Sequence, residues 1–479
     1  MQKSRFLKYF VLFSLCVFSH SSQGAEGTLE VRSLNDLIRL SQERSESLKA
    51  LNLSLDSLEA EIRSRDLELS TKLATELAWV QDRKSTLASP LRKEDSEALD
   101  LDVTKLFTTG TSLALSSRYL LNESAVTGKQ NVFDWDLRLS QALWKNAFGR
   151  ATRQRQESDK YELQSRRYQA ELQRQTFLLN LETLYWDLIY SLREQEIRQS
   201  NIERSDTLEK WIRARIRHSA AEPVDLLQVQ AQGAASRLDL IASQNRISTF
   251  KNQLQQLIPG LDPLQLSFEL SSLEKASPSA FVPSSSAATE SPVRLDTLAS
   301  QAQEKKLRSD WHRTQDATAP LLDVYVGYGK NGMDPQMNQA FKEMQTSSQY
   351  NATVGVLFSL DLDRSLTRDR ARSGELQAAS ASLQTRQLER ASALDWKDLS
   401  RSIESLKNQV QEAQRLAEFQ KQKSLKERVR LQLGRSTVFQ SVTFDIDAAN
   451  AELRYYQTLA TLRKTEARTR LFSHDQESL

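Results

Sequence analysis

Apolar residues recur at three- and four-residue steps where the chain first becomes periodic. Leu34, Leu37 and Ile38 are followed by Leu48, Leu51, Leu55, Leu58 and Ile62. That spacing lines one face of a helix, and helices are expected across 30–70. Near residue 72 the period drops to two. Leu73, Thr75, Leu77 and Trp79 alternate with Ala74, Glu76, Ala78 and Val80. Leu99, Leu101 and Val103 alternate with Asp100, Asp102 and Thr104. Leu113, Leu115, Ser117 and Tyr119 follow the turn-like Thr108-Thr109-Gly110-Thr111. Phe133, Trp135, Leu137 and Leu139 oppose Asp134, Asp136, Arg138 and Ser140. These are strands with one apolar and one polar face, within about 72–141. The alternation at 98–121 reads either as an extra hairpin or as a long twisted loop.

Arg150 to Arg217 is a run of 68 residues without Pro or Gly. A helix of that length is a rod of roughly 100 Å. His218 to Pro223 breaks it, and a second helix is expected over 224–258. Residues 259–292 hold a stretch rich in Ser, Pro and Ala and read as a linker. The order then recurs within 293–472: a helix at 293–317, strands within about 321–360, a polar loop at 330–347, a long helix at 366–433 and a last helix at 438–472. Residues 473–479 are a tail. Shifting the first break onto the second sets Ser219 on Gly434, Val224 on Phe439, Leu227 on Val442 and Leu238 on Leu453. The pattern is an internal duplication, 26–258 and 293–472, at a period too long for a solenoid repeat.

Within the long helices the apolar positions step by four and three. Leu399, Ile403, Leu406, Val410, Ala413 and Ala417 form one series; Leu227, Ala231, Ala234, Leu238 and Ile241 form another. Both read as coiled-coil seams. The strands set a harder constraint. Apolar-out, polar-in alternation marks an outer-membrane barrel, which in a single bacterial chain starts at about 8 strands. Four to six strands cannot close alone, so several chains are expected to share one barrel.

Composition narrows the class. The chain has 479 residues, 27% charged, with 13 Gly, 9 Pro and a single cysteine, Cys16. Mean hydropathy is -0.55. No stretch after the leader approaches the ~20 apolar residues of a spanning helix. One cysteine excludes a disulfide scaffold. The net charge of +3 equals Lys3, Arg5 and Lys8 alone, so a nucleic-acid binder is not indicated. Those three residues, the apolar run Tyr9–Phe18 and the small residues Ser21 to Ala25 make residues 1–25 a secretory signal peptide. Cys16 lies inside the apolar run behind Leu15, which reads against lipidation. The chain has no HExxH, CxxC or nucleophile–base pattern. His218, His312 and His474 are scattered, and Gly327-Tyr328-Gly329 lies in a strand. The chain reads as a non-enzyme with no catalytic residues, cofactor or metal.

Two further stretches carry a family resemblance. Leu433-Gly434-Arg435-Ser436-Thr437-Val438-Phe439-Gln440-Ser441-Val442 resembles the Gly-containing turn into the last helix of the TolC-like outer-membrane efflux proteins. Leu139-Ser140-Gln141-Ala142-Leu143-Trp144 resembles that family's strand-to-helix entry. The resemblance covers nearly the whole chain after the leader. It implies a mainly α fold with a β portion, built as a duplicated helix–strand–strand–long helix–helix repeat. Three copies would form a coiled-coil α-barrel tunnel through the periplasm, continuing into a shared outer-membrane β-barrel of a Gram-negative cell. Six strands per chain would give about 18. The implied function is the exit duct of a tripartite efflux pump or type I secretion system, passing small molecules or proteins. The implied partners are two further copies, a periplasmic adaptor, an inner-membrane pump and lipid. A periplasmic coiled-coil adaptor or structural protein without a pore is the alternative.

By the same resemblance, the turns Ser219, Ala220, Ala221, Glu222, Pro223 and Gly434, Arg435, Ser436, Thr437, Val438 form the periplasmic tip where an adaptor docks. The entrance candidates are Asp225, Gln440, Thr443, Asp445 and Asp447. The sequence departs from the family here: Gln440 and Thr443 stand where it often has acids, Leu431 where it has a gate tyrosine, and Ser436 where it has a gate arginine. Asp225 equally suits a helix cap. Trp79, Trp135, Trp144, Tyr119 and Tyr328 are candidates for interfacial belts or for buried packing.

Overall fold

The computed structural model describes residues 33–82, 94–124, 128–218, 221–262, 268, 272–275 and 292–472. The leader at 1–25, Ser219, Ala220, most of the 259–292 linker and the 473–479 tail lie outside the described residues.

Ser33 opens α1 (Leu34–Arg44) with a reciprocal cap: its hydroxyl accepts the Asp36 N–H, and the Asp36 carboxylate accepts the Ser33 N–H. At Ser45 the backbone turns extended, so the expected helix over 30–70 divides. After it comes α2 (Glu46–Ser64), then a 3-10 turn to Leu69. Four strands come next: β1 (Lys72–Asp82), β2 (Glu94–Leu106), β3 (Thr111–Ser124) and β4 (Gly128–Ala142). The helices α3 (Arg150–Arg217), α4 (Pro223–Leu257), α5 (Ser272–Lys275) and α6 (Leu295–Ala317) lead to β5 (Leu321–Asp334). The chain ends with α7 (Met337–Thr346), β6 (Asn351–Ser359), α8 (Arg364–Gln432) and α9 (Val438–Ala467), closed by a 3-10 turn to Phe472.

The two rods, 68 and 69 residues long, each span ~100 Å. In their half towards the tips, α3 packs on α4 and α9, and α9 on α8, so the wall runs α4–α3–α9–α8. Its core sits midway along the rods, where Leu181, Tyr185 and Ile189 of α3 meet Leu254, Leu399, Ile403 and Leu459. Part of the expected linker joins that core: Leu261 and Leu273 are buried in it. The α8 seam is used as the spacing predicts, with Leu399, Ile403 and Ala413 buried. The α4 seam is not. Leu227, Leu238 and Ile241 face outward, Leu238 with 69% of its surface exposed. Against α3 the helix turns Val229, Gly233, Ser236, Ser243 and Ile247 instead. Gly233 faces the Ser205 side chain of α3, where a Cβ would lie 3.2 Å from the hydroxyl oxygen, and the bulkier stripe is left at an edge of the wall.

The strands form one antiparallel sheet in chain order, β1-β2-β3-β4-β5-β6. Residues 98–121 are thus a hairpin, with Leu99 opposite Tyr119 and Asp102 opposite Ser116. Register carries each face across the whole sheet. Leu73, Val103, Leu115, Leu137 and Tyr328 stand in one row; Leu139, Val326 and Val354 stand in another. The opposite face carries Asp100, Arg118, Asp134, Asp136 and Arg138. There Arg118 pairs with Asp100 at 3.1 Å, and the Arg138 guanidinium lies 3.8 Å from the Tyr325 ring centre. Much of the apolar face is bare, Leu77 being 82% and Val354 78% exposed. Among the described residues, β1 and β6 pair on one side only. No described helix is long and apolar enough to cross a membrane. The 330–347 segment, expected as a loop, instead extends β5 to Asp334 and forms α7.

Sheet and rods meet at a tight joint. The β2–β3 turn lies on the start of α3: a Cβ on Gly149 would fall 1.7 Å from the Thr108 carbonyl oxygen, and one on Gly110 2.7 Å from the Gly149 nitrogen. Gly149 also has φ +77°. Asn146 and Phe148 beside it hold positive φ too. Buried Asp316, at the end of α6, accepts the Asn146 N–H at 2.7 Å and an Arg150 N–H at 2.6 Å, which offsets that strain. Gly149→Ala combines left-handed backbone strain with a backbone clash. It is expected to lower unfolding free energy by at least ~2 kcal/mol, read by urea denaturation followed by circular dichroism. An unchanged midpoint would refute the close contact.

Candidate entrance at the rod tips

Two turns converge at the end of the rods away from the sheet. Ile212 of α3, Val229 of α4, Leu431 of α8 and Val438 and Val442 of α9 share one buried cluster. Ala221, Leu226 and Ile446 pack against it. The structure therefore brings together Ala221, Glu222 and Pro223 with Gly434 to Val438, while Ser219 and Ala220 lie outside the described residues.

Each turn is closed by its own chemistry. Gly434 has φ +71°, with no atom near its missing Cβ. The Arg435 N–H reaches the Arg430 carbonyl at 2.8 Å and the Gly434 N–H the Leu431 carbonyl at 3.0 Å, the pattern that ends a helix on glycine. Thr437 caps α9, its hydroxyl accepting the Gln440 N–H at 3.2 Å. Ser436 donates to buried Glu427, which also pairs with Arg430 at 3.2 Å. Pro223 starts α4, and the Asp225 carboxylate accepts the Glu222 N–H at 3.3 Å. Asp225 thus caps the helix start and adds a favourable charge there.

The remaining candidates divide. Gln440 is exposed, and the Thr443 hydroxyl donates back to the Phe439 carbonyl at 2.8 Å. Asp447 faces Lys423 at 3.9 Å. Asp445 is held by α8, taking a hydrogen bond from Ser424 and three from Arg428, at 2.8, 3.0 and 3.2 Å. Leu431, at the position of the family's gate tyrosine, is 5% exposed and belongs to the core.

The spacing of the sequence did not reveal Arg204. It projects from α3 towards Asp445 and Arg428, and all three line both a cavity of ≈ 710 Å³ between α3, α8 and α9 and one of ≈ 400 Å³ nearer the tip. Its guanidinium donates to the Ser200 hydroxyl at 2.7 Å and to the Asn201 side-chain oxygen. Both partners are neutral, so burial pushes its pKa down, and neighbouring Arg428 adds to this. Only its place opposite the α9 acid in the fold identifies it. At the upper end of the larger cavity Tyr456 receives a hydrogen bond from Arg193 at 2.7 Å and donates to Glu274 at 3.0 Å. Burial raises the Tyr456 hydroxyl to about 12. Among the described residues no group of three or more His, Cys, Asp or Glu could hold a metal. The Arg193–Tyr456 bond links α3 to α9, while Arg204 faces the Asp445–Arg428 pair across the cavity.

Solved structures with this fold include the outer-membrane channel OprN, at 15% identity over 92% of this chain and 89% of that one, TM-score 0.68. The outer-membrane protein VceC of Vibrio cholerae matches at 14% identity, 92% and 95% coverage and TM-score 0.67. The open state of the MtrE outer-membrane channel of Neisseria gonorrhoeae matches at 13%, 94% and 93%, TM-score 0.64. No family model matches the sequence, and no curated protein does. The chain has the fold of these outer-membrane channels along almost its whole length.

Removing the Asp445 carboxylate takes away the acid that pairs with Arg428 and faces Arg204, leaving Glu452 and Glu203 as the acids acting on Arg204. Asp445→Ala is expected to cost ~2 kcal/mol of stability, read by urea unfolding. Arg428→Leu in the same chain should recover part of that loss. Strict additivity of the two changes would show that the pair is not coupled.

Proposed function

We propose that this protein is the outer-membrane exit duct of an efflux or type I secretion assembly, a TolC-like channel working as a homotrimer. The observation that carries the proposal is the six-stranded sheet, apolar on one face, polar on the other and, among the described residues, open at both edges. An open edge in lipid leaves backbone groups unpaired at several kcal/mol each. β1 leads away from the rods and β6 returns to them, so β6 of one copy meets β1 of the next antiparallel. Three copies would give about 18 strands, within the range of known barrels. At ~3.3 Å per residue and ~45° tilt, the 15 residues of β4 would rise roughly 35 Å, enough to cross an apolar band of about 25 Å.

The helical wall supports the same closure. Its edge helices α4 and α8 both carry uncovered apolar residues: Leu227, Leu238 and Ile241 on one, Phe419, Leu425 and Val429 on the other. Head-to-tail contact between unlike edges closes into a ring when the rotation allows. The leader at 1–25 fits export, and rods of ~100 Å fit a periplasmic conduit. An adaptor would dock at the two tip turns, where Val224, Leu433 and Phe439 are exposed, and an inner-membrane pump would supply the energy. A non-enzymatic, passive role follows. A periplasmic adaptor without a pore would need a β-domain with its own closed core, which this sheet lacks.

At the entrance we assign Asp225 and Asp447 to the polar lining, with Gln440 and Thr443 beside them. Asp445 instead serves as the link to Arg428. Cell fractionation should find the protein in the outer membrane and running as a trimer in mild detergent. Leu238→Glu should shift that trimer towards monomer. A soluble monomer of the unmodified chain would defeat the proposal. In planar bilayers, Asp225→Ala and Asp447→Ala should each reduce cation preference. Currents and selectivity identical to the parent would reject the entrance assignment while leaving the duct intact.

A further inference from the structure

Helix α7 has no part in closing the sheet or lining the tip. Its place is unusual: it leaves β5 at the end of the sheet far from the rods and folds back over the apolar face. Three contacts hold it there. A Cβ on Gly332, which points to that face, would lie 2.2 Å from the Ala340 carbonyl oxygen and 2.4 Å from the Met344 nitrogen, so only glycine admits the helix. Phe341 meets the Phe133 ring edge-on at 5.4 Å. Glu343 accepts the Met333 N–H at 3.0 Å.

The helix is amphipathic, and its orientation can be followed residue by residue. Ala340 is fully buried against the sheet. Met337 and Phe341 lie a turn apart on the flank beside it and remain 53% and 44% exposed. Asn338, Lys342 and Gln345 form the outward polar face. Charge on the sheet marks a level. Counted from the rods, the apolar-side positions of β5 are Leu322, Val324, Val326 and Tyr328, and the first charged one is Lys330. Its ammonium donates to the Ser347 carbonyl at 3.3 Å, just past the end of α7. Tyr328 stacks with Tyr350 at 5.8 Å immediately below. Along β5 the apolar positions thus end, and aromatic and cationic groups begin, where α7 lies, while Leu77, Leu99 and Phe133 continue the apolar face one row further. An amphipathic helix at such a boundary is suited to the junction of headgroups and acyl chains.

We propose that α7 is a lipid-binding interfacial helix. Met337 and Phe341 enter the outer edge of the acyl region, Asn338, Lys342 and Gln345 meet headgroups and water, and the helix sets how deep the sheet sits. Its partner is the bilayer surface, and the inference rests on the membrane-spanning reading of the sheet. Continuity of the exposed flank with the bare apolar face argues for lipid.

The test is depth measurement by electron paramagnetic resonance on the full chain in phosphatidylcholine–phosphatidylglycerol vesicles. Nitroxide labels would be placed singly at Met337→Cys, Phe341→Cys, Lys342→Cys and Val326→Cys, each with Cys16→Ser. Val326 reports the middle of the apolar face. The expected result is a ratio of oxygen to nickel-complex collisions highest at 326, several-fold lower but above the aqueous value at 337 and 341, and aqueous at 342. A lipid-buried 326 with aqueous values at 337 and 341 overturns the role of α7 and leaves the membrane-spanning sheet standing. Labels at 337 and 341 shielded from both reagents would show a protein cover, and also overturn it. An aqueous value at 326 overturns both readings together.

Discussion

Backbone hydrogen bonding at the two rims of the sheet governs the rest of the molecule. Alternation over six strands makes one surface apolar and the other charged, so the sheet cannot bury both in a single chain. The rods do not cover it; they begin where it ends. The edge strands retain unpaired amide groups on one side among the described residues. The same incompleteness recurs in the helical wall, whose outer helices keep apolar stripes. Under the proposed trimer, neighbouring copies would fill these gaps at both edges and at both levels.

The two-residue period was the readable part of the sheet, because alternation has one geometric cause. At 98–121 the alternation of Leu99, Leu101 and Val103 was visible, while the choice between a hairpin and a twisted loop stayed open. Pairing there was not legible, since register depends on the turn at Gly110 and on the close fit of that turn against Gly149. The α4 stripe was legible as a stripe, yet its partner was not. Periodicity reports which residues share a face and is silent on what the face meets. The small residues Gly233 and Ser236 are buried on the α3 side, and the bulkier stripe is not. α7 was missed because its four apolar residues make one short arc, and only the notch at Gly332 seats it.

At the tips, the helix breaks before Pro223 and at Gly434 were legible in the sequence. Glycine and threonine there act through local backbone geometry, which short motifs encode directly. The charged links were harder to foresee. Asp445 stands out as an acid past the turn, but its neutralisation by Arg428 and its proximity to Arg204 depend on three helices meeting. Glu427 was hidden for the same reason: its role is to receive Ser436 across the turn.

The β2–β3 hairpin also bears on bore. It adds one strand in each direction, so β1 and β4 run antiparallel and would keep their polarity without it. Strands enter this wall as up-and-down couples, and every chain of a ring would gain the couple at once. Calibre in such an assembly changes by discrete jumps, and one inserted stretch of about thirty codons is enough to produce the jump.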